Sequence, residues 1–240
     1  MSSRNIFLTT LFVVTPAFIF LLVLGFWQLQ RMQWKTDLIE IRKENYANEV
    51  VTLSSALSSI ETHSWKKVFV NGRYDHNKEI FLWSIREGMP GWQVLTPLIP
   101  KERTDLRLLI DRGWIPKELK DSSLRAEGQI NDQVTVSGYI RNDLDYQGPF
   151  TPVNDIHDNT WYFVDYPEIE SLYNIELVRS VLIADSTPNP GGWPLGDSEL
   201  PKLNNNHLNY AITWFCLALA AIFIWILVVR RSYKDGKATL

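Results

Sequence analysis

The chain has 240 residues, 45% hydrophobic and 21% charged, with a net charge of −3. A composition this near the globular average excludes a collagen, a coiled-coil rod and a disordered tail, and the mild acidity gives no electrostatic case for nucleic acid. A lone cysteine, Cys216, excludes an internal disulfide and any CxxC metal or redox site, while ten Trp, nine Tyr and eleven Phe form the kind of aromatic load that gathers at membrane–water interfaces and in tight cores.

Residues 1–5 form a short leader to the first apolar run. No charge lies between Arg4 and Arg31, and the intervening ~20 apolar residues suffice to cross ~30 Å of hydrocarbon as helix. We read 6–28 as a first transmembrane helix, in which Pro16 is tolerated. A cleaved signal peptide is the competing reading. The run is longer than an ordinary h-region of about 7–15 residues, shows no A-x-A site, and continues into the aromatic and basic segment 25–31, so an uncleaved anchor is expected. The five residues before it leave no room for a mitochondrial transit peptide, which points to a bacterial inner membrane.

Residues 29–205 form the extramembrane domain, long enough for its own core. It opens as a helix continuing the first span, because Trp27, Arg31, Trp34, Leu38 and Ile41 recur at steps of three and four. Residues 53–57 then break this helix or form a short second one. Beyond them the pattern turns to β-like runs at 66–74, 79–85, 92–99, 106–114, 133–140, 160–166 and 178–184, rich in Val, Ile, Tyr, Phe and Trp. Turn chemistry at Asp75-His76-Asn77, Gly88-Met89-Pro90-Gly91 and Asn142-Asp143 separates several of them. Pro167, with Glu168 and Glu170, opens a short helix. An irregular linker over 186–206 returns to the membrane, and no internal repeat is visible. The fold class expected is membrane α plus β: two transmembrane helices flanking a mostly antiparallel β-rich (α+β) domain, an open sheet or partly open barrel.

The second span is 206–229. Its window from Tyr210 holds eleven Leu, Ile, Phe or Val residues. At the helix centre these favour insertion by about 3 to 7 kcal/mol before polar residues are counted. The tail 230–240 carries Arg230, Arg231, Lys234 and Lys237, favouring a cytoplasmic C-terminus. Arg31, Lys35, Arg42 and Lys43 argue the other way for the first span, but long loops translocate largely regardless of charge. Both termini are therefore expected to be cytoplasmic and the domain periplasmic.

Catalytic signatures are missing. None of the four histidines, His63, His76, His157 and His207, forms an i,i+4 pair, no Ser sits in a G-x-S-x-G elbow, and Met1, Met32 and Met89 form no copper cluster. We expect no enzyme. His63, His76 and His157 read as solvated turn residues. His207, among Asn204, Asn205, Asn206 and Asn209 at the mouth of the second span, can expose an imidazole lone pair while an Asn orients the other nitrogen. The competing reading is an interfacial anchor or helix cap, with Asn205 or Asn206 as N-cap. Gln28, Arg31 and Lys35 share a helical face, suited either to snorkelling toward headgroups or to meeting an anionic group. At 111–116 a buried strand ends, with Gly113 permitting an unusual backbone angle and Trp114 packed; Asp111 and Arg112 are free to pair at the domain surface.

Four motifs in order carry a family resemblance. Gly25-x-Trp27-Gln28-x-x-Arg31-x-x-Trp34-Lys35, Gly91-x-x-Val94-x-Thr96-Pro97-Leu98, Asp111-Arg112-Gly113-Trp114-Ile115-Pro116 and Asn206-His207-Leu208-x-Tyr210-Ala211-x-Thr213-Trp214-Phe215 resemble the surfeit-locus family of cytochrome c oxidase assembly proteins. The resemblance implies an assembly factor for a haem–copper oxidase, assisting haem a insertion into the catalytic subunit. It implies membrane lipids, that subunit and the haem a synthase as partners. It makes His207 a candidate haem iron ligand and Arg31 a candidate propionate contact, with Trp27, Trp34, Asp111, Arg112, Gly113, Trp114 and Tyr210 as interaction or structural motif residues. Two alternatives stand beside it: a carrier that receives haem a from its synthase, and a membrane-anchored sensory or binding module.

Overall fold

In the computed structural model, which describes residues 3–47, 51–52, 64–196, 200–201 and 203–237, the first apolar run and the amphipathic segment after it form one continuous helix, α1 (Ser3–Ala47). The segment 53–57 and His63 lie outside the described residues. The chain divides into two compact units: Met1–Ile41 with Lys202–Leu240, and Arg42–Pro201.

The second unit is built on eight strands: β1 (Val51–Thr52), β2 (Lys67–Tyr74), β3 (Ile80–Arg86), β4 (Met89–Pro100), β5 (Arg107–Pro116), β6 (Val134–Arg141), β7 (Thr160–Trp161) and β8 (Leu177–Ala184). Their order is β1-β2-β6-β8-β5-β4-β3-β7, and a further β2–β4 pairing closes β2, β6, β8, β5 and β4 into a five-stranded barrel. Closure depends on the length of β4. Its first half pairs with β3 from Met89 to Leu95, a register shift between Gln93 and Leu95 bends it, and its end reaches β2 through Leu98, Ile99 and Pro100. Most pairings are antiparallel; β1–β2, β3–β7 and β5–β8 are parallel.

Alternation along the strands fills the barrel. Val68, Val70, Leu98, Leu108, Ile110, Val136, Ile140, Val178 and Leu182 pack inside. Leu109, Val181 and Ile183 point the other way, into a second core with Trp161 and Ile169. Because β5 and β8 are covered on both faces, their sequences read as nearly continuous apolar runs.

Two local expectations change. The run 160–166 yields only the two-residue β7, because Asp165 caps a helix, α2 (Tyr166–Tyr173), by accepting from Glu168 N at 3.2 Å. Capping with Pro167 in the first turn outweighs the strand propensity of Tyr162, Phe163 and Val164. The β3–β4 turn is Glu87-Gly88, with φ of 52° and 81°; Met89, Pro90 and Gly91 already belong to β4.

In the first unit, α1 meets a helix over His207–Lys237, here α3, in antiparallel register. Trp225 Nε1 donates to Thr10 Oγ1 at 3.1 Å, Phe26 packs edge-on to Phe215, and Ala211 and Ala218 are buried. A Cβ on Gly25 would stand 2.5 Å from the Phe215 ring, so the close crossing requires glycine there. Both helices are long and apolar enough to cross a bilayer, and most of their large side chains face outward.

Candidate functional sites in the helix pair and the barrel

His207 is the first residue of α3. Its Nδ1 lies 2.7 Å from Gln28 Oε1 on α1. An amide oxygen can only accept, so Nδ1 is the donor, and Nε2 has no partner among the described residues. The expected orienting Asn is replaced by Gln28. Asn205 instead ties the strand-free approach to α1, donating to Met32 O at 3.0 Å and Thr36 Oγ1 at 3.1 Å. The α3 start is closed by the Asn206 carbonyl, which accepts from Asn209 N and Tyr210 N.

Arg31 lies one turn along α1 from Gln28, exposed, with its guanidinium 4.5 Å from the Trp34 ring centroid. Trp27, Trp34 and Tyr210 are each about half exposed. The structure thus brings Gln28 to His207 and Arg31 to Trp34.

The second cluster lies in the barrel unit. Asp111 and Arg112 are not at the domain surface: β5 is covered on both faces, so both are buried, and Arg112 is 1% exposed. Asp111 Oδ1 accepts from Gly113 N at 2.9 Å, holding Gly113 at φ +116°. Next to it Trp114 is buried near Trp193 and pairs through its backbone with Leu195.

Arg112 joins a buried ionic group centred on Glu79. Glu79 Oε2 accepts from Arg125 Nη2 at 2.6 Å. Oε1 meets His76 Nδ1 at 3.1 Å, Thr96 Oγ1 at 3.3 Å and Gln129 Nε2 at 3.3 Å, and stands 3.5 Å from Arg112 Nη1. His76 is therefore a partly buried member of this network, not a solvated turn residue, and its Nε2 faces Ile130 O at 2.9 Å. His157 is exposed as expected. Burial opposes the charge on Glu79, but the His76 and Arg125 hydrogen bonds and the two guanidiniums hold its carboxyl at about 2. Burial, only partly offset by Tyr74 and Glu79, pushes the Arg112 guanidinium below its ordinary value.

Glu79 and Arg125 were missed in the sequence. They are 46 residues apart and sit in no motif; the one available signal was an acid opening a strand that is otherwise apolar. Chemically, the cluster is a fixed ion network, and the His207 site holds an imidazole nitrogen without a partner among the described residues at a helix end. Among the described residues no three His, Cys, Asp or Glu side chains group as a metal site.

A sequence model of the SURF1 family matches residues 15–219. Surfeit locus protein 1 of Gallus gallus is 29% identical over 219 residues, which cover 84% of this chain and 69% of the chicken protein. Surfeit locus protein 1 of Homo sapiens is 29% identical over 218 residues, covering 84% and 71%. A SURF1-like protein of Rickettsia prowazekii is 30% identical over 228 residues, covering 92% and 90%.

Proposed function

This chain belongs to the SURF1 family, and on that premise we propose that it is a non-catalytic membrane assembly factor for a haem–copper cytochrome c oxidase, assisting haem a insertion into the catalytic subunit. It works in a bacterial inner membrane, with both termini cytoplasmic and residues of the barrel unit periplasmic. The tail basics Arg230, Arg231, Lys234 and Lys237 and the rickettsial relative support that placement.

The observation that carries the reading is the 2.7 Å contact between His207 Nδ1 and Gln28 Oε1. A hydrogen bond to one imidazole nitrogen fixes the tautomer that leaves the other basic, which is how proteins prepare histidine for a metal. The residues present fit a haem: His207 would hold its iron through a ring nitrogen, and Arg31 would meet a propionate. When bound, haem a would supply an iron centre that takes a nitrogen ligand. The chain's own part is to hold the imidazole in one tautomer and to offer a cation one helical turn away.

The same observation favours a second reading within this role, a carrier that receives haem a from its synthase before passing it on. A strain lacking this gene and any second copy tests the assignment. Cytochrome oxidase activity should fall with a haem-poor catalytic subunit, while membrane dehydrogenases stay normal. A normal haem a spectrum with normal oxidase activity overturns it.

A further inference from the structure

The segment between β6 and β7 is pinned at both ends. Leu144 and Ile156 pack against the second core. Val164 N donates to Leu144 O at 2.8 Å, and the Asn154 side chain accepts from Tyr162 N at 2.8 Å and donates to Phe163 O at 3.3 Å. At the tip, residues 148–151 form a turn: Thr151 N donates to Gly148 O at 3.1 Å, and Gly148 N donates to Thr151 Oγ1 at 2.9 Å. Pro149 fixes φ at the second position of that turn, and Phe150 occupies the third. A Cβ on Gly148 would stand 3.6 Å from the Tyr146 ring, so that ring lies against the same turn.

Between these fixed points the large apolar side chains face outward. Phe150 is 96% exposed, Val153 81% and Tyr146 74%. Single exposed apolar residues are ordinary; three so close together on a hydrogen-bonded loop mark a contact surface. An ordered loop gains little burial from such side chains alone, but it presents them to a partner at low entropic cost. Aromatic side chains bury about 150–250 Å² each, so with Val153 the three would place roughly 450 Å² in a contact. That is above half of the ~800 Å² that one partner gives to an interface of standard size.

Charge narrows the kind of partner. Asp143, Asp145, Asp155 and Asp158 punctuate the segment 142–159, which holds no Lys or Arg. Arg141 pairs with Asp143 and Lys120 with Asp158, which leaves Asp145 and Asp155 with no ion pair among the described residues. Arg179 lines the groove beside Asp145, but Glu170 Oε2 holds it at 2.8 Å. Loops that dip into lipid carry Lys and Arg toward anionic headgroups, and this one carries the opposite sign. Two copies of the loop would repel each other for the same reason. Carboxylates beside an aromatic anchor fit a protein surface whose apolar pocket is rimmed by cations.

We propose that residues 144–153 are a docking element, with Phe150 as its anchor, for a protein partner whose apolar pocket is rimmed by Lys or Arg. The inference rests on the assembly role proposed above, under which that partner is the catalytic subunit of the oxidase.

The test returns the full chain to a strain lacking this gene and any second copy. The photoreactive residue p-benzoylphenylalanine replaces Phe150 or, as control, Leu124, which is 61% exposed elsewhere on the barrel unit. Ultraviolet light on intact cells should join position 150 to the catalytic subunit, identified by mass spectrometry, with about tenfold less adduct from position 124. Asp145→Asn with Asp155→Asn should lower the adduct at 150 by about threefold or more. The Asn at 155 keeps an oxygen for Asp158 N, so the loop stays closed. Phe150→Ser should cut the oxidase spectrum to about a third of wild type or less and leave the unfolding midpoint unchanged, because every pinning hydrogen bond remains. An adduct with a second copy of this chain, with lipid or with nothing, in cells whose oxidase the wild-type chain restores, overturns the docking element and leaves the assembly role standing. Equal yields from the two positions, or a yield unmoved by the Asp substitutions, overturn it as well. Normal oxidase in the uncomplemented strain overturns the assembly role itself, and the partner assigned here with it.

Discussion

Glu79 and Arg125 meet inside the barrel unit with Oε2 and Nη2 2.6 Å apart and side chains only 4% and 1% exposed. Burial by itself would raise the Glu79 carboxyl; the His76 hydrogen bond, then Arg125 and Arg112, reverse this and hold it at about 2. The folded value lies below the unfolded one near 4.3, so the contribution is present above that pH and is lost as pH falls toward 2. Its size is about 3 kcal/mol. Urea unfolding of the full chain in detergent, followed by tryptophan fluorescence at pH 6 and at pH 2, should show a loss of that order. Glu79→Gln, which leaves two buried guanidiniums facing no carboxylate, should cost about 3–5 kcal/mol at neutral pH. A flat profile across this range would mean that the pair contributes no pH-dependent stability.

Gly113 and Gly88 separate two reasons for a glycine. Both have positive φ, +116° and +81°. A Cβ at Gly113 would lie 2.1 Å from Leu195 O, whereas one at Gly88 meets nothing within 4 Å. Gly88→Ala should therefore cost only the backbone strain, about 1 kcal/mol. Gly113→Ala must also part β5 from the Trp114–Leu195 pairing, and should cost about 3 kcal/mol or more. Thermal unfolding midpoints of the two variants give the comparison, and equal losses would contradict the packing described here.

The helices and most strands were legible because their causes are local. Charge-free apolar runs mark α1 and α3, and the alternation in β2 and the continuous apolar runs of β5 and β8 mark the barrel. What failed was non-local. The barrel closes through Gly72, Arg73 and Tyr74 pairing with Pro100, Ile99 and Leu98, a contact between strands that each look complete alone. His76 sits in turn-like sequence and so read as solvated; only folding brings Ile130 O and Glu79 to its two nitrogens. At the helix pair, Gln28 and His207 were each noticed within their own motif, but 179 residues separate them and nothing local joins them.

That separation makes Gln28 a positioning residue for His207. Protein purified in detergent from cells making haem a should carry a haem absorption band in the wild type. His207→Ala should abolish it. Gln28→Leu should weaken haem retention by about 10- to 100-fold, the usual loss when the group orienting a metal-binding histidine is removed, and Gln28→Glu should restore most of it. Loss of haem in His207→Ala with full retention in Gln28→Leu would keep His207 as ligand and remove Gln28 from the site. Absence of haem from wild-type protein, with oxidase assembly intact, would leave the scaffold role alone.

The antiparallel register of α1 and α3 constrains topology. Trp225 meets Thr10 at one end of the pair and His207 meets Gln28 at the other, so both chain ends leave the pair on one side. Residues 29–205 hold 19 basic and 26 acidic residues, while Arg230, Arg231, Lys234 and Lys237 crowd the last turns of α3. A segment with that excess of lysine and arginine is held on the cytoplasmic side, and a long acidic loop is free to be exported. In a Cys216→Ser background, which removes the exposed thiol of α3, Glu118→Cys and Lys234→Cys place single thiols at exposed positions of the barrel unit and the tail. A membrane-impermeant maleimide should label Glu118→Cys in intact spheroplasts and Lys234→Cys only after lysis. The reverse pattern would put the barrel unit in the cytoplasm. His207 and Gln28 would then face the inner side of the bilayer, and the exported barrel unit of the proposed role would have to be abandoned.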